Sequence, residues 1–238
     1  ADEPPLAVRS DRGETPLAAF CRAVECDETL SPIAAWHGEA AFASAGLDID
    51  SRLALRGRDL WRMSLGEYQL WQSSAFLVRR EDLLALGGFD ARWSCAADTA
   101  LLLRLFAVDS SVVHLPYVGV LYRRRAGSVS HRFQEAGWKS HEALLVRLDA
   151  LARDAHRFAP LPRAARQAWW QSWRNLREVS RRMPFEGSTP ARTRGKLAAA
   201  TAEARRPPLV IRIEGWLRLE AWRLRRALGA RRAGREPA

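Results

Sequence analysis

Ser73-Ser74-Ala75-Phe76-Leu77-Val78, then Arg79-Arg80-Glu81-Asp82-Leu83-Leu84-Ala85-Leu86, closed by Gly87-Gly88-Phe89-Asp90, is the stretch that decides the fold class. Its aromatic and branched residues predict a strand over 73–78. The acidic pair Glu81-Asp82 then opens a helix, because carboxylates suit the positive end of a helix dipole. Gly87-Gly88 ends that helix, since glycine takes up the left-handed conformation of a helix terminus at little cost.

Downstream, Leu101, Leu102 and Leu105 mark the buried stripe of a second helix over 97–106. Ser111 to Tyr122 is β-rich, nearly uncharged, and fits a buried strand that delivers Arg123-Arg124-Arg125 to its end. Strand, helix, Gly-Gly turn, helix, strand and basic loop in that order is an α/β pattern. Upstream, Leu17, Phe20 and Val24 recur at helical spacing and predict a short helix between Pro16 and Thr29. Residues 33–43 predict one or two strands before the polar loop Asp48-Ile49-Asp50-Ser51.

Beyond Glu135 the pattern turns helical, with Leu144, Leu145, Leu148 and Leu151 in one segment and Trp169, Trp170, Trp173 and Leu176 in another. Residues 1–134 therefore read as one domain and 135–238 as a basic helical tail. Charge divides with them: residues 1–159 hold 19 Lys and Arg against 21 Asp and Glu, and residues 160–238 hold 19 against 6. The overall charge of +11 thus belongs to the tail. Over residues 209–228, Val210, Ile213, Leu217, Ala221, Leu224 and Leu228 form one helical stripe among arginines, with Leu219 and Trp222 off it. Such a helix either lies on an anionic membrane surface or packs against the front domain. No specific nucleic acid is expected, because the front half is net negative and offers no recognition helix. No apolar run reaches the roughly 18 residues of a membrane span. Cys21, Cys26 and Cys95 show no metal-ligand spacing and read as reduced, structural thiols.

Ser74-Ala75-Phe76-Leu77-Val78-Arg79-Arg80-Glu81, Gly87-Gly88-Phe89-Asp90, Ala97-Asp98 through Arg104-Leu105, and Tyr122-Arg123-Arg124-Arg125-Ala126-Gly127-Ser128-Val129-Ser130 occur in register. In that order and spacing the chain resembles the acceptor-side half of a family 2 glycosyltransferase over about residues 1–131. The resemblance implies a partial, Rossmann-like GT-A domain followed by a mainly helical tail, and sugar transfer from a nucleotide-sugar donor to a hydroxyl of a glycan or lipid-linked acceptor. It implies inversion at the anomeric carbon and a divalent cation (Mg or Mn). The reduced thiols lead one to expect a cytoplasmic protein, and the basic helix over 209–228, where it lies on a membrane, one peripheral at its inner face.

By the same resemblance Asp98 is the general base, although a carboxylate there also serves as a helix cap. The glutamate that usually precedes it is Ala97 here, and a second acidic position is Ala100. Arg123, Arg124 and Arg125 would hold the departing diphosphate, with His131 a substitute for the histidine that the family often carries where Arg125 stands. Gly88, Phe89, Asp90, Trp71 and Gln72 fall on the acceptor side, and the indoles of Trp61, Trp71 and Trp93 offer faces for a sugar ring. Asp2 is the remnant of an Asp-x-Asp metal motif, on the expectation that the chain is a fragment lacking its nucleoside-binding half. The rival expectation is a degenerate, non-catalytic module of the same fold with a membrane- or nucleic-acid-associating tail.

Overall fold

The computed structural model describes residues 16–35, 38–65, 70–108, 110–128, 138–158, 161, 163–182 and 206–233. The chain divides into two compact units, Ala1–Pro160 and Leu161–Ala238. The first is mixed α/β. Its strands are β1 (Ala18–Cys26), β2 (Pro32–Ala35), β3 (Leu53–Arg56), β4 (Phe76–Val78) and β5 (Ser111–Arg123). They form one sheet in the order β2-β1-β5-β3, with β4 paired to β1 beside β2. β1 and β5 run parallel, and the other pairs are antiparallel.

The segment expected as a helix between Pro16 and Thr29 is therefore the central strand β1. Its ladder to β5 slips on either side of Arg22, where Pro116, Tyr117 and Gly119 of β5 are left over. Buried positions accordingly run Ala18, Phe20, then Ala23 and Glu25, and this break in parity imitates a helical spacing. Proline, which has no N–H to give a ladder, is at home in such a bulge. Gly119 is required by packing, since a Cβ there would stand 2.6 Å from Cys21 Sγ.

Among the described residues of the first unit are the helices α1 (Glu39–Ser44), α2 (Gly57–Ser64), α3 (Arg80–Ala85), α4 (Ala97–Ala107) and α5 (Trp138–Asp154), with short 3₁₀ turns at Ser73–Ala75 and Ala155–Phe158. β3 and α2 lie in a stretch for which the sequence had suggested no element. α3 ends as expected: Gly87 and Gly88 have φ of +81° and +64°. The N–H of Gly88 reaches Leu83 O and that of Gly87 reaches Leu84 O, both at 2.9 Å, the paired bonds of a Schellman stop.

The core is aromatic. Trp71 stacks on Phe20 with ring centroids 4.0 Å apart, Phe42 meets Trp71 edge-on at 5.1 Å, and Phe106 of α4 closes on Phe20 at 6.0 Å. His114 of β5 is sealed in this cluster; Trp71 Nε1 donates to its Nδ1 at 3.4 Å, so its Nε2–H donates to Ile49 O at 2.9 Å. Burial holds the imidazole below its ordinary pKa, in the neutral form that both bonds require. The second half of β5 departs from the buried strand expected for it, because Tyr117, Val118 and Leu121 are exposed where β3 no longer covers the edge.

α5, assigned from the sequence to the tail, belongs to the first unit and packs against α4. The second unit contains α6 (Arg163–Arg182) and α7 (Leu209–Ala233). Arg166 of α6 pairs with Glu214 of α7 at 2.9 Å, and Arg218 joins the same carboxylate. Glycine inside a long helix costs about 1 kcal/mol relative to alanine, and Gly215 has a reason to be there: a Cβ would lie 2.3 Å from the Trp170 ring. Gly215→Ala should therefore destabilise the helix pair by about 1–2 kcal/mol, overpacking outweighing the gain in propensity. Thermal unfolding followed by circular dichroism measures this, and an unchanged or raised midpoint would contradict the close approach.

Candidate functional site

The site is built around the amino end of α4. Asp98 stands in the first turn of that helix, partly buried, and its Oδ1 accepts the N–H of Thr99 at 2.7 Å. Ala96, the residue before the helix, offers no side-chain cap. The cap comes instead from Glu142 on α5. Its Oε1 accepts from Ser94 N (2.9 Å) and Ser94 Oγ (3.0 Å), and its Oε2 accepts from Cys95 N (2.5 Å) and Ala96 N (2.8 Å).

Glu142 is only 3% exposed. Burial alone would raise its pKa, but hydrogen bonds from Ser94, Cys95 and Ala96 outweigh that and leave it below the ordinary glutamate value. The backbone that leads into Asp98 is thus clamped by a charged group 44 positions further along the chain.

The Gly-Gly-Phe-Asp turn is fastened to the same helix. Arg104 of α4 donates to Leu86 O at 2.8 Å and also to Gly88 O, holding the end of α3 against it. The Arg92 guanidinium holds the Asp90 carboxyl down at about 2 through charge-assisted hydrogen bonds, with Arg104 adding to the field. Phe89 is exposed at the tip of this turn. Arg92 lies 5.4 Å from the Trp93 ring centroid and 3.7 Å from Asp149 of α5, so α3, α4 and α5 share one charged seam.

Arg123, Arg124 and Arg125 are all exposed at the carboxyl end of β5. Three residues separate α4 from β5, a connection short enough for the helix to run back toward the end of the sheet that carries the arginines. The carboxyl end of β1, parallel to β5, is there too. Ligands of open α/β sheets gather outside the carboxyl ends of parallel strands. Arg124 is already engaged: its Nε lies 2.6 Å from Oε2 of Glu25, and its second nitrogen 2.9 Å from Oε1. Glu25 is buried at the end of β1, so this arginine satisfies a carboxylate of the scaffold and leaves Arg123 and Arg125 as the cations presented to solvent.

No family model, curated protein or solved structure matches this chain.

Two acceptor-side expectations require correction. Trp71 is 3% exposed with one face on Phe20, and Trp61 is wholly buried, so neither presents an indole to a sugar. Gln72 is buried as well, its Oε1 accepting from Ser74 N at 3.1 Å and Ser73 Oγ at 2.9 Å as the cap of the 3₁₀ turn. Gly88, Phe89, Asp90 and Trp93 remain at the surface of the seam. Asp2 and His131, the residues assigned to metal and diphosphate, lie outside the described residues, as does the terminal Asp-x-Asp remnant. Among the described residues no group of three or more His, Cys, Asp or Glu side chains could hold a metal ion. None of the described helices is long and apolar enough to cross a membrane.

Glu142 and Glu25 are two residues of the site that sequence reasoning missed. Both act on partners far away in the chain, and neither lies in a local motif.

Proposed function

We propose that this chain carries the acceptor side of a family 2-like glycosyl transfer, moving a sugar from a nucleotide-activated donor to a hydroxyl of a glycan or lipid-linked acceptor. The observation that supports it most is Asp98 in a first helical turn whose backbone is clamped by Glu142, together with Arg123 and Arg125 exposed at the carboxyl end of β5.

Asp98 takes the proton of the acceptor hydroxyl as its oxygen attacks the anomeric carbon. The bond from that carbon to the donor phosphate oxygen breaks, and its electron pair leaves on the nucleoside diphosphate. Arg123 and Arg125 offset the charge that develops there. The Phe89-Asp90 turn, rigid because Arg104 and Arg92 hold it, supplies an edge against which the acceptor is positioned. Attack from the side opposite the leaving group inverts the anomeric centre. In this scheme the divalent cation implied by the resemblance would be held by residues beyond those described.

Calorimetric titration with a nucleoside diphosphate tests the basic end of β5. An Arg123→Ala, Arg125→Ala double variant should bind about 30- to 100-fold more weakly, since each charge-assisted hydrogen bond contributes about 1.5–3 kcal/mol of which solvent exposure removes a part. Arg124→Ala, whose guanidinium is held by Glu25, should lose less than about tenfold. Equal binding by the double variant and the unaltered protein would remove the arginines from the site. Tight diphosphate binding with no transfer to any hydroxyl would favour a degenerate binding module.

A further inference from the structure

Helix α7 is apolar on two opposite faces. Ile211, Gly215, Leu219 and Trp222 line the groove that it forms with α6, a cleft of about 310 Å³. This accounts for the two residues that fall off the stripe read in the sequence: they belong to a second stripe on the side of α6, with Trp222 at its open edge and still 53% exposed. On the other side Leu209, Val210, Ile213, Trp216 and Leu217 are between 49% and 70% exposed. At 100° per residue these five fall within an arc of about 120°.

An arc of that width, carrying two branched residues, two leucines and a tryptophan, is far from the scattered single apolar residues that ordinary surfaces show. Its surroundings say what covers it. Arg223 and Arg225 are exposed to either side of the arc. Glu220, the acid on the arc itself, is held by Arg223 at 2.8 Å. α7 holds seven arginines against two glutamates, and residues 160–238 hold 19 Lys and Arg against 6 Asp and Glu. A second copy of so cationic a helix, packed face to face, would meet its own charge; an anionic bilayer meets it with the opposite one.

We propose that the Leu209–Leu217 face of α7 docks in the plane of an anionic bilayer, its apolar side chains at the acyl boundary and Arg223 and Arg225 on the headgroup phosphates. Trp216 is suited to that depth, since indole prefers the boundary between headgroup and acyl chain. A helix with only one apolar face would have to choose between α6 and the membrane; α7 serves both.

Flotation of the whole protein with vesicles tests this, using phosphatidylcholine alone and phosphatidylcholine with about one-third phosphatidylglycerol at low and high salt. The unaltered protein should bind the anionic vesicles at least about 30-fold more tightly, with the preference collapsing at high salt. Ile213→Gln with Leu217→Gln should lower binding about 100-fold, the two side chains losing their apolar transfer. Arg223→Gln with Arg225→Gln should lower it about 30-fold, near fivefold per charge. All four residues are exposed, so folding, checked by circular dichroism, stays intact. Equal binding to both vesicle types, or an unchanged Ile213→Gln, Leu217→Gln variant, overturns the proposal. So does a dimer in sedimentation that this variant splits while no vesicle is bound, which would make the face an interface between copies. No donor or acceptor enters the measurement, so its failure and the failure of the transfer reading are separate results.

Discussion

Asp98→Asn should lower the turnover of sugar transfer about 100-fold or more while leaving nucleotide-sugar binding within about threefold of the unaltered protein. The amide keeps the size of the carboxylate, and its oxygen can still accept the Thr99 N–H that Oδ1 accepts at 2.7 Å. It cannot take a proton. The loss should therefore fall on kcat with KM for the donor unchanged, and single-turnover measurement at saturating donor isolates it. If the variant unfolds at the same temperature and turns over at the normal rate, Asp98 is a helix residue only.

Glu142→Gln should cost about 3 kcal/mol of stability and lower the unfolding midpoint by roughly 6–12 °C. Its oxygens take four hydrogen bonds from Ser94, Cys95 and Ala96. A glutamine can serve one pair of donors, but its NH₂ then faces the other pair and leaves buried N–H groups unsatisfied. The pH dependence has a definite sign. The folded-state pKa of Glu142 is depressed from its ordinary value of 4.5, so its contribution is present above that pH and is lost as pH falls below it. The variant should accordingly show a flatter acid limb of stability below about pH 4.5 than the unaltered protein. A variant as stable as the original at neutral pH, or one with an equally steep acid limb, would show that the clamp contributes nothing.

The two effects are linked through the backbone of residues 94–98. Positioning a base to within a fraction of an ångström is a matter of the peptide that carries it, and here that peptide is held from α5. An Ala97 and Ala100 on either side of Asp98 leave no neighbouring carboxylate on the helix to orient it. Glu142 supports the peptide that leads into Asp98 from α5.

What the sequence disclosed was local. The Gly87-Gly88 stop was legible because a left-handed pair after a leucine-rich turn has few other uses, and α4 because its leucines repeat at helical spacing. β1 was misread because the slip of its ladder at Arg22 breaks the alternation that identifies a strand. β3 was passed over because four residues, Leu53 to Arg56, hold too little period to count. Placing the domain boundary after residue 134 separated α5 from α4, since nothing near Glu142 in the sequence announces that its carboxylate serves Ser94–Ala96. The indoles show the same limit: composition cannot distinguish a tryptophan that stacks on Phe20 from one that awaits a sugar. The doubled apolar character of α7 reads as one imperfect stripe in the sequence, because nothing there shows that α6 packs along the second.

The transfer reaction itself is tested most directly by the acceptor-dependent release of nucleoside diphosphate. The intact protein would be offered a panel of nucleotide-sugars, each with and without glycan and lipid-linked hydroxyl acceptors. At least one donor should release its diphosphate only when an acceptor is present, with one new glycosidic bond formed per diphosphate released and with inversion at the anomeric carbon. Donors that bind and are never consumed, or diphosphate released at the same rate without acceptor, would contradict the assignment of Asp98 and the arginine end of β5 to glycosyl transfer.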